Sequence, residues 1–199
     1  MQEIPHQRRE DLAIVYRVNV SISEEGTGSI LLNNDHLKLF GIDQREIHDQ
    51  AVRNMPKILP PKFENMNDII AELMGEDVEL FEEMAGENMM WVLSNDRRMQ
   101  GAAYMFDEEV MSSIAEKLGG DFIVLPSSLH EVIIIKEADI MVEENIDLEF
   151  IQRMVSEVNE SQVEPDEVLS DAIYRYSSKD NKLSLIEEFE QSQGMEMKM

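Results

Sequence analysis

The sequence contains no cysteine. A disulfide framework, a thiolate metal centre and a cysteine nucleophile are therefore excluded. Basic side chains are scarce, 17 against 42 acidic ones, and the formal charge is -25. A phosphate backbone or an anionic membrane surface would be repelled, so nucleic acid and membrane are disfavoured as partners. No apolar run approaches the roughly 20 residues that span a bilayer. The opening stretch Met1 to Asp11 is polar and charged, without the pattern of a signal peptide. A cytoplasmic protein is the expectation by elimination. The phosphate loops Gly-x-x-x-x-Gly-Lys and Gly-x-Gly-x-x-Gly are missing, as is the Gly-x-Ser-x-Gly elbow of serine hydrolases. The histidines His6, His36, His48 and His130 never stand at i, i+4 spacing. The acidic group Glu143, Glu144 and Asp147 lacks the glycine and alternate spacing of a calcium loop. Neither a metal nor a cofactor is expected.

What remains is an ordinary globular composition, 43% hydrophobic and 30% charged. At 199 residues the chain suits one domain with a sizeable core and no need of a covalent staple. The acidity keeps such a protein soluble. Sharper readings are a partner with a basic face, or an acidic mimic of DNA.

Leu12 to Ile22 is rich in β-branched and aromatic residues and reads as a strand. Ser23 to Gly28 is a turn, and Ser29 to Leu32 returns as the second strand of a hairpin. Asn34 opens a short helix through Leu37 and Phe40 that stops at Gly41; Asp43, with Glu46 three residues on, opens another carrying Ile47 and Ala51. Pro56, Pro60 and Pro61 mark an irregular crossing, after which Asn67 caps a helix ending at Gly75. A short helix with Val78, Phe81 and Met84 follows. Met89 to Leu93 and Gly101 to Phe106 read as a second hairpin around a polar turn, and Asp107 opens a helix with the stripe Val110, Met111, Ile114, Ala115 and Leu118. Phe122 to Leu125 and Glu131 to Ile135 read as a third hairpin. Asp147 caps a helix through Val158, Pro165 begins a helical turn, and Ala172 to Tyr176 reads as the last strand. The fold expected is α+β, an antiparallel sheet of hairpins with helices packed on it. A single domain spans 1–176, with two similar hairpin-helix halves at 11–56 and 89–136. Residues 177–199 read as a polar, fraying tail.

Chemistry concentrates at Pro126, Ser127, Ser128, His130 and Glu131. A nucleophilic triad needs hydroxyl, imidazole and carboxylate converging in space. In an extended segment Ser128 and His130 share a face while Glu131 points away, so Glu131 is badly placed to orient His130. Turn chemistry favours a structural role, with hydroxyls satisfying turn amides; a ligand or partner site stands second and a catalytic serine third. Asn159 and Gln162 are suited to pair with exposed backbone where a helix ends. Tyr174 and Tyr176 share a face of the final strand, as core residues or as an aromatic patch for a partner. Asp171 completes the set whose convergence on one cleft would mark a site.

Several strings carry a resemblance: Asp11-Leu-Ala-Ile-Val-Tyr-Arg-Val18, Gly101-Ala-Ala, Ile114 to Phe122, Leu125-Pro-Ser-Ser-Leu-His-Glu-Val132, Glu167-Val-Leu-Ser-Asp171 and Tyr174-Arg-Tyr176. Together they are similar to an uncharacterised clostridial domain-of-unknown-function family, number 5688. The resemblance runs from about Ile4 to Tyr176. It implies a bacterial protein without assigned activity, cofactor or partner. It also implies that the chain is the C-terminal portion of a longer protein, because members usually carry a further helical segment before Ile4-Pro5-His6. An exposed apolar patch is then expected where that part docks. The leading expectation is a non-enzymatic module that binds another protein or its own N-terminal segment. The rivals are a hydrolase or ligand-binding enzyme using Ser127 or Ser128 with His130, and a DNA mimic.

Overall fold

The computed structural model describes residues 3–23, 26–75, 77–78, 89–142, 145–146, 151, 153 and 163–186, with side chains given for most of them. Two hairpins open the chain. β1 (His6–Arg9) and β2 (Leu12–Val15) pair across a tight turn in which Glu10 takes a positive φ of 52°. β3 (Arg17–Ser23) and β4 (Gly26–Leu31) pair with a bulge between Asn19 and Ser21. The stretch expected as one strand is thus two, parted at Tyr16, whose buried side chain joins Leu32 and Leu37 in a small core.

Two helices close this unit. α1 (Asn34–Phe40) is capped by Asn33, whose side chain accepts from the His36 amide while His36 accepts from the Asn33 amide. α2 (Gln44–Ile58) carries the expected Asp43–Glu46 capping box. Its Ile47 and Ala51 pack on the small core. Pro56 lies inside α2, and Pro61 opens a strand, so the prolines do not mark an irregular crossing.

A six-stranded antiparallel sheet forms the centre, in the order β12-β11-β7-β8-β6-β5. Its members are β5 (Pro61–Asn65), β6 (Met90–Asn95), β7 (Phe122–Leu125), β8 (Val132–Lys136), β11 (Tyr174–Ser177) and β12 (Lys182–Leu185). Proline is tolerated at the start of β5 because that strand lies at the sheet's edge. α3 (Met66–Met74) follows β5 directly, capped by Asn65 rather than Asn67, which is buried within the helix. α4 (Glu108–Leu118) is capped by Asp107 and ends at Gly119. Two short strands, β9 (Met141–Val142) and β10 (Asn145–Ile146), pair with each other.

Residues alternate between the faces of the sheet, and both faces are covered. One face gathers Leu93, Val132, Ile134, Phe122, Val124, Tyr174 and Tyr176 against Met111, Ile114 and Leu118 of α4. The other gathers Ile123, Leu125, Ile133 and Ile135 with Ile140, Ile151 and Ile173. Double coverage explains why β7 and β8 read as continuous apolar runs. The chain is therefore α+β, with helices packed on antiparallel sheets.

Three further expectations need correction. Gly101–Phe106 is a 3-10 helix, not a returning strand. Both edges of β6 are already occupied, by β5 and β8, so no edge is left for a returning strand. The parallel drawn between the two hairpin-helix halves therefore stops at Gly101. The first part of the tail expected over 177–199 instead supplies β12, which pairs with β11 and lays Leu183 and Leu185 on the core; residues 187–199 lie outside the described residues. Pro165 leads a turn closed by the Glu167 amide and the Glu164 carbonyl, not a helix. The helices expected at Phe81–Met84 and from Asp147 to Val158 fall almost wholly outside the described residues.

Candidate functional site

The segment from Pro126 to Glu131 joins β7 to β8 and is the most densely bonded loop among the described residues. Its serines are buried. Ser128 Oγ accepts from the amides of His130 (3.1 Å) and Glu131 (3.2 Å), closing a hydroxyl-backed turn. The Ser128 amide faces the Glu131 carbonyl at 3.4 Å.

A second segment is stitched alongside. The Leu169 amide donates to the Ser127 carbonyl and the Ser170 amide to the Pro126 carbonyl, both at 3.2 Å. The Leu129 amide donates to the Glu167 carbonyl at 2.9 Å. Ser128 and Val168 form an antiparallel bridge. The Leu-Pro-Ser-Ser-Leu-His-Glu and Glu-Val-Leu-Ser-Asp strings, 40 positions apart in the chain, thus form a single backbone-to-backbone clamp.

A third segment closes the other side. The Gly101 amide donates to the His130 carbonyl at 2.9 Å, and Ser94 Oγ donates to the same oxygen at 2.7 Å. A Cβ at Gly101 would lie 2.6 Å from that oxygen, 2.6 Å from Ser94 Oγ and 2.7 Å from Ser94 Cα. Only glycine fits so close an approach of three backbones.

The His130 ring is committed on both sides. Nδ1 accepts from the Gln100 amide at 3.2 Å, and Nε2 lies 3.2 Å from Glu167 Oε1. An Nδ1 that accepts from an amide puts the neutral ring's proton on Nε2, directed at the carboxylate. A general base for a serine needs a free nitrogen against the hydroxyl, and both nitrogens here have other partners. The arrangement orients an imidazole and fastens a loop, with the two ring nitrogens directed at Gln100 and Glu167.

Below the clamp, the buried Tyr174 hydroxyl donates to Asp11 Oδ1, and Ser170 Oγ donates to Asp11 Oδ2 at 3.1 Å. Burial pushes the Tyr174 hydroxyl far above the ordinary phenol range, and the Asp11 carboxylate adds to the effect. This contact ties the β1–β2 turn to the central sheet. On the other face of β11, Arg175 reaches Glu137 through Nε (2.6 Å) and Asp121 through Nη2 (2.6 Å). Asp121 also accepts from the Ser178 hydroxyl and amide, chiefly through which its carboxyl is held below the usual range.

Of the residues singled out from sequence, Pro126, Ser127, Ser128, His130 and Glu131 converge. Tyr174 joins them indirectly, through Asp11 and Ser170. Asp171 sits on the exposed bend just after Ser170. Asn159 and Gln162 lie outside the described residues. Tyr174 and Tyr176 are core residues, not a surface patch. Sequence reasoning missed Ser94, Gln100, Gly101, Glu167, Ser170 and Asp11, all brought in from distant segments. Four of them lay within the distinctive strings, Asp11, Gly101, Glu167 and Ser170, and that was the available signal. Among the described residues no group of three or more His, Asp or Glu side chains could hold a metal ion, and no helix is long and apolar enough to cross a membrane.

No curated protein and no solved structure matches the chain. A model of a family of unknown function, DUF5688, matches residues 1–178. That span holds the clamp in full and ends between β11 and β12, and the chain belongs to the DUF5688 family.

Proposed function

We propose that the chain is a non-enzymatic module that binds another protein through the outer face of the β3–β4 hairpin. One observation carries the reading. Val18, Val20 and Ile30 are 40%, 60% and 48% exposed. Val18 stands opposite Ile30. A Cβ at Gly28 would meet both Ser21 and Val20 side chains, and Gly28 shares its face with Ile30, so the three apolar residues lie on one side. A two-stranded hairpin with an apolar outer row gains stability when something covers that row. The commitment of the His130 ring to Gln100 and Glu167 supports the non-enzymatic part of the reading.

The partner fitted to this face carries an apolar strand or helix; the charge of -25 lies almost wholly beyond residue 58, so it draws a cationic partner toward the chain as a whole while the apolar row fixes where that partner docks. The test is affinity capture with the full chain and with the Val20→Asp/Ile30→Asp pair, followed by a deuterium-exchange footprint of each captured complex. The reading expects a protein whose capture is lost in the pair and whose footprint covers β3–β4. Capture of small metabolites alone, or a footprint elsewhere, overturns it.

A further inference from the structure

The turn that leaves β6, Asn95 to Gly101, holds two side-chain-bearing residues in left-handed backbone. Arg98 and Gln100 take positive φ of 50° and 55°. Residues without glycine's freedom stay in that region only where surrounding bonds hold them there.

The first half of the turn holds itself. The buried Asn95 accepts through Oδ1 from the amides of Arg97 (3.0 Å) and Met99 (3.4 Å), and its Nδ2 donates to the Met99 carbonyl at 2.7 Å. The Arg98 amide donates to the Asn95 carbonyl at 2.9 Å. Gln100 is held differently. Among the described residues the partner of its amide is the His130 ring, at Nδ1. The next amide, Gly101, goes to the His130 backbone carbonyl instead. One strained residue thus depends on an atom that a proton can claim.

Histidine is the side chain suited to change charge between about pH 5 and 8. In the neutral ring the proton on Nε2 points at Glu167 and the lone pair on Nδ1 at Gln100. A second proton enters at Nδ1. There it meets the Gln100 N–H, donor against donor, and that bond is lost. The same proton makes the ring cationic, so its bond to Glu167 becomes charge-assisted and roughly twice as strong as a neutral one. The charged groups on the elements around the ring are Glu131 on its own loop, Asp96, Arg97 and Arg98 on the turn, and Glu164, Asp166 and Glu167 on the stitched segment. Glu167 touches the ring, and Arg98 reaches Glu64 at 3.9 Å.

We propose that His130 is a proton-operated latch: protonation moves the ring's hold from Gln100 to Glu167 and releases Gln100 from its left-handed backbone, while the backbone clamp stays shut. The latch shares no residue with the β3–β4 face, so the two readings stand or fall separately.

The experiment follows the full chain by nuclear magnetic resonance from pH 8 to pH 5, reading the His130 ring nitrogens and the exchange protection of backbone amides, corrected for the intrinsic pH dependence of exchange. As the ring takes up its proton, Gln100 protection should fall by roughly three- to tenfold, while Gly101, Leu129 and Ile123 keep theirs. His130→Asn puts an amide oxygen, an acceptor that does not titrate, near the place of Nδ1, and Gln100 protection should then be indifferent to pH. Glu167→Gln should move the midpoint to lower pH, because the cationic ring loses its carboxylate. If His130→Asn does not fold, the wild-type titration with Gly101 as internal reference decides the matter. Overturning results are Gln100 protection that stays constant while the ring titrates, the same fall in His130→Asn, or a fall shared by Gly101 and Ile123.

Discussion

Replacing Gly101 with alanine adds one methyl group at the point where three chain segments touch. The new Cβ would stand 2.6 Å from the His130 carbonyl oxygen and 2.7 Å from Ser94 Cα. Both are backbone atoms of β6 or of the turn into β8, and neither can swing aside as a long side chain would. Overpacking of this kind costs about 1–3 kcal/mol. Separating the segments also weakens the Gly101 and Ser94 bonds to the His130 carbonyl, and a buried group left unpaired costs about 1–3 kcal/mol more. Stiffening of the unfolded chain returns only about 0.4–1 kcal/mol. The net expectation is a loss of about 2–4 kcal/mol, a large part of the roughly 5–15 kcal/mol that holds a domain folded. Urea unfolding followed by the fluorescence of Trp91, the sole tryptophan and a residue of β6, reads this directly. Adding Ser94→Ala should return less than half of the loss, because it removes the Oγ contact but leaves the two backbone contacts. A Gly101→Ala protein within about 0.5 kcal/mol of wild type, the size of an ordinary surface change, would refute the three-segment clamp.

Further outcomes follow from the same geometry. Ser128→Ala should lose about 1–2 kcal/mol, since two turn amides lose their acceptor, and a fluorophosphonate probe should label neither wild type nor variant at Ser127 or Ser128. The folded chain holds the Tyr174 proton more tightly than the unfolded chain does, so its contribution is fully present below about pH 10 and is lost as pH rises toward the folded value. Urea midpoints taken from pH 8 upward should therefore fall above pH 10, less steeply in Tyr174→Phe than in wild type. Lys117 lies 4.6 Å from the Trp91 ring centroid and 5.0 Å from that of Phe63. Lys117→Met should cost about 0.5–1 kcal/mol and Lys117→Arg much less, as measured by denaturant midpoints.

Local grammar in the sequence announced whatever a short window can hold. The Asp43–Glu46 box, the Asp107 cap, the stripe on α4 and the β7–β8 hairpin each rest on residues within a few positions of one another, and each stands as read. The misreadings share a different cause. Gly101 to Phe106 has the composition of a strand, but β6 has no free edge to receive one, and that is a fact of tertiary pairing. β12 offers only Leu183 and Leu185 as alternating signal, too little to mark a strand before β11 is in place beside it. Asn33 and Asn34 stand together, as do Asn65 and Asn67 nearly so; which of them caps depends on backbone angles that composition does not fix. For the site, the Ser-Ser-Leu-His-Glu string drew notice correctly, and the turn-capping role foreseen for the serines is what the geometry gives Ser128. The partners of His130 could not be foreseen, because Gln100 and Glu167 approach it from 30 and 37 positions away in the chain.

Hydrogen exchange in the native state tests the central claim most directly. If the Pro126–Glu131 turn is a fastened joint, the amides of Gly101, Leu129, Leu169 and Ser170 should open only with the sheet, at free energies near those of β7 and β8. Exchange of those four amides at the rates of exposed loops, while Ile123 and Ile134 stay protected, would contradict it.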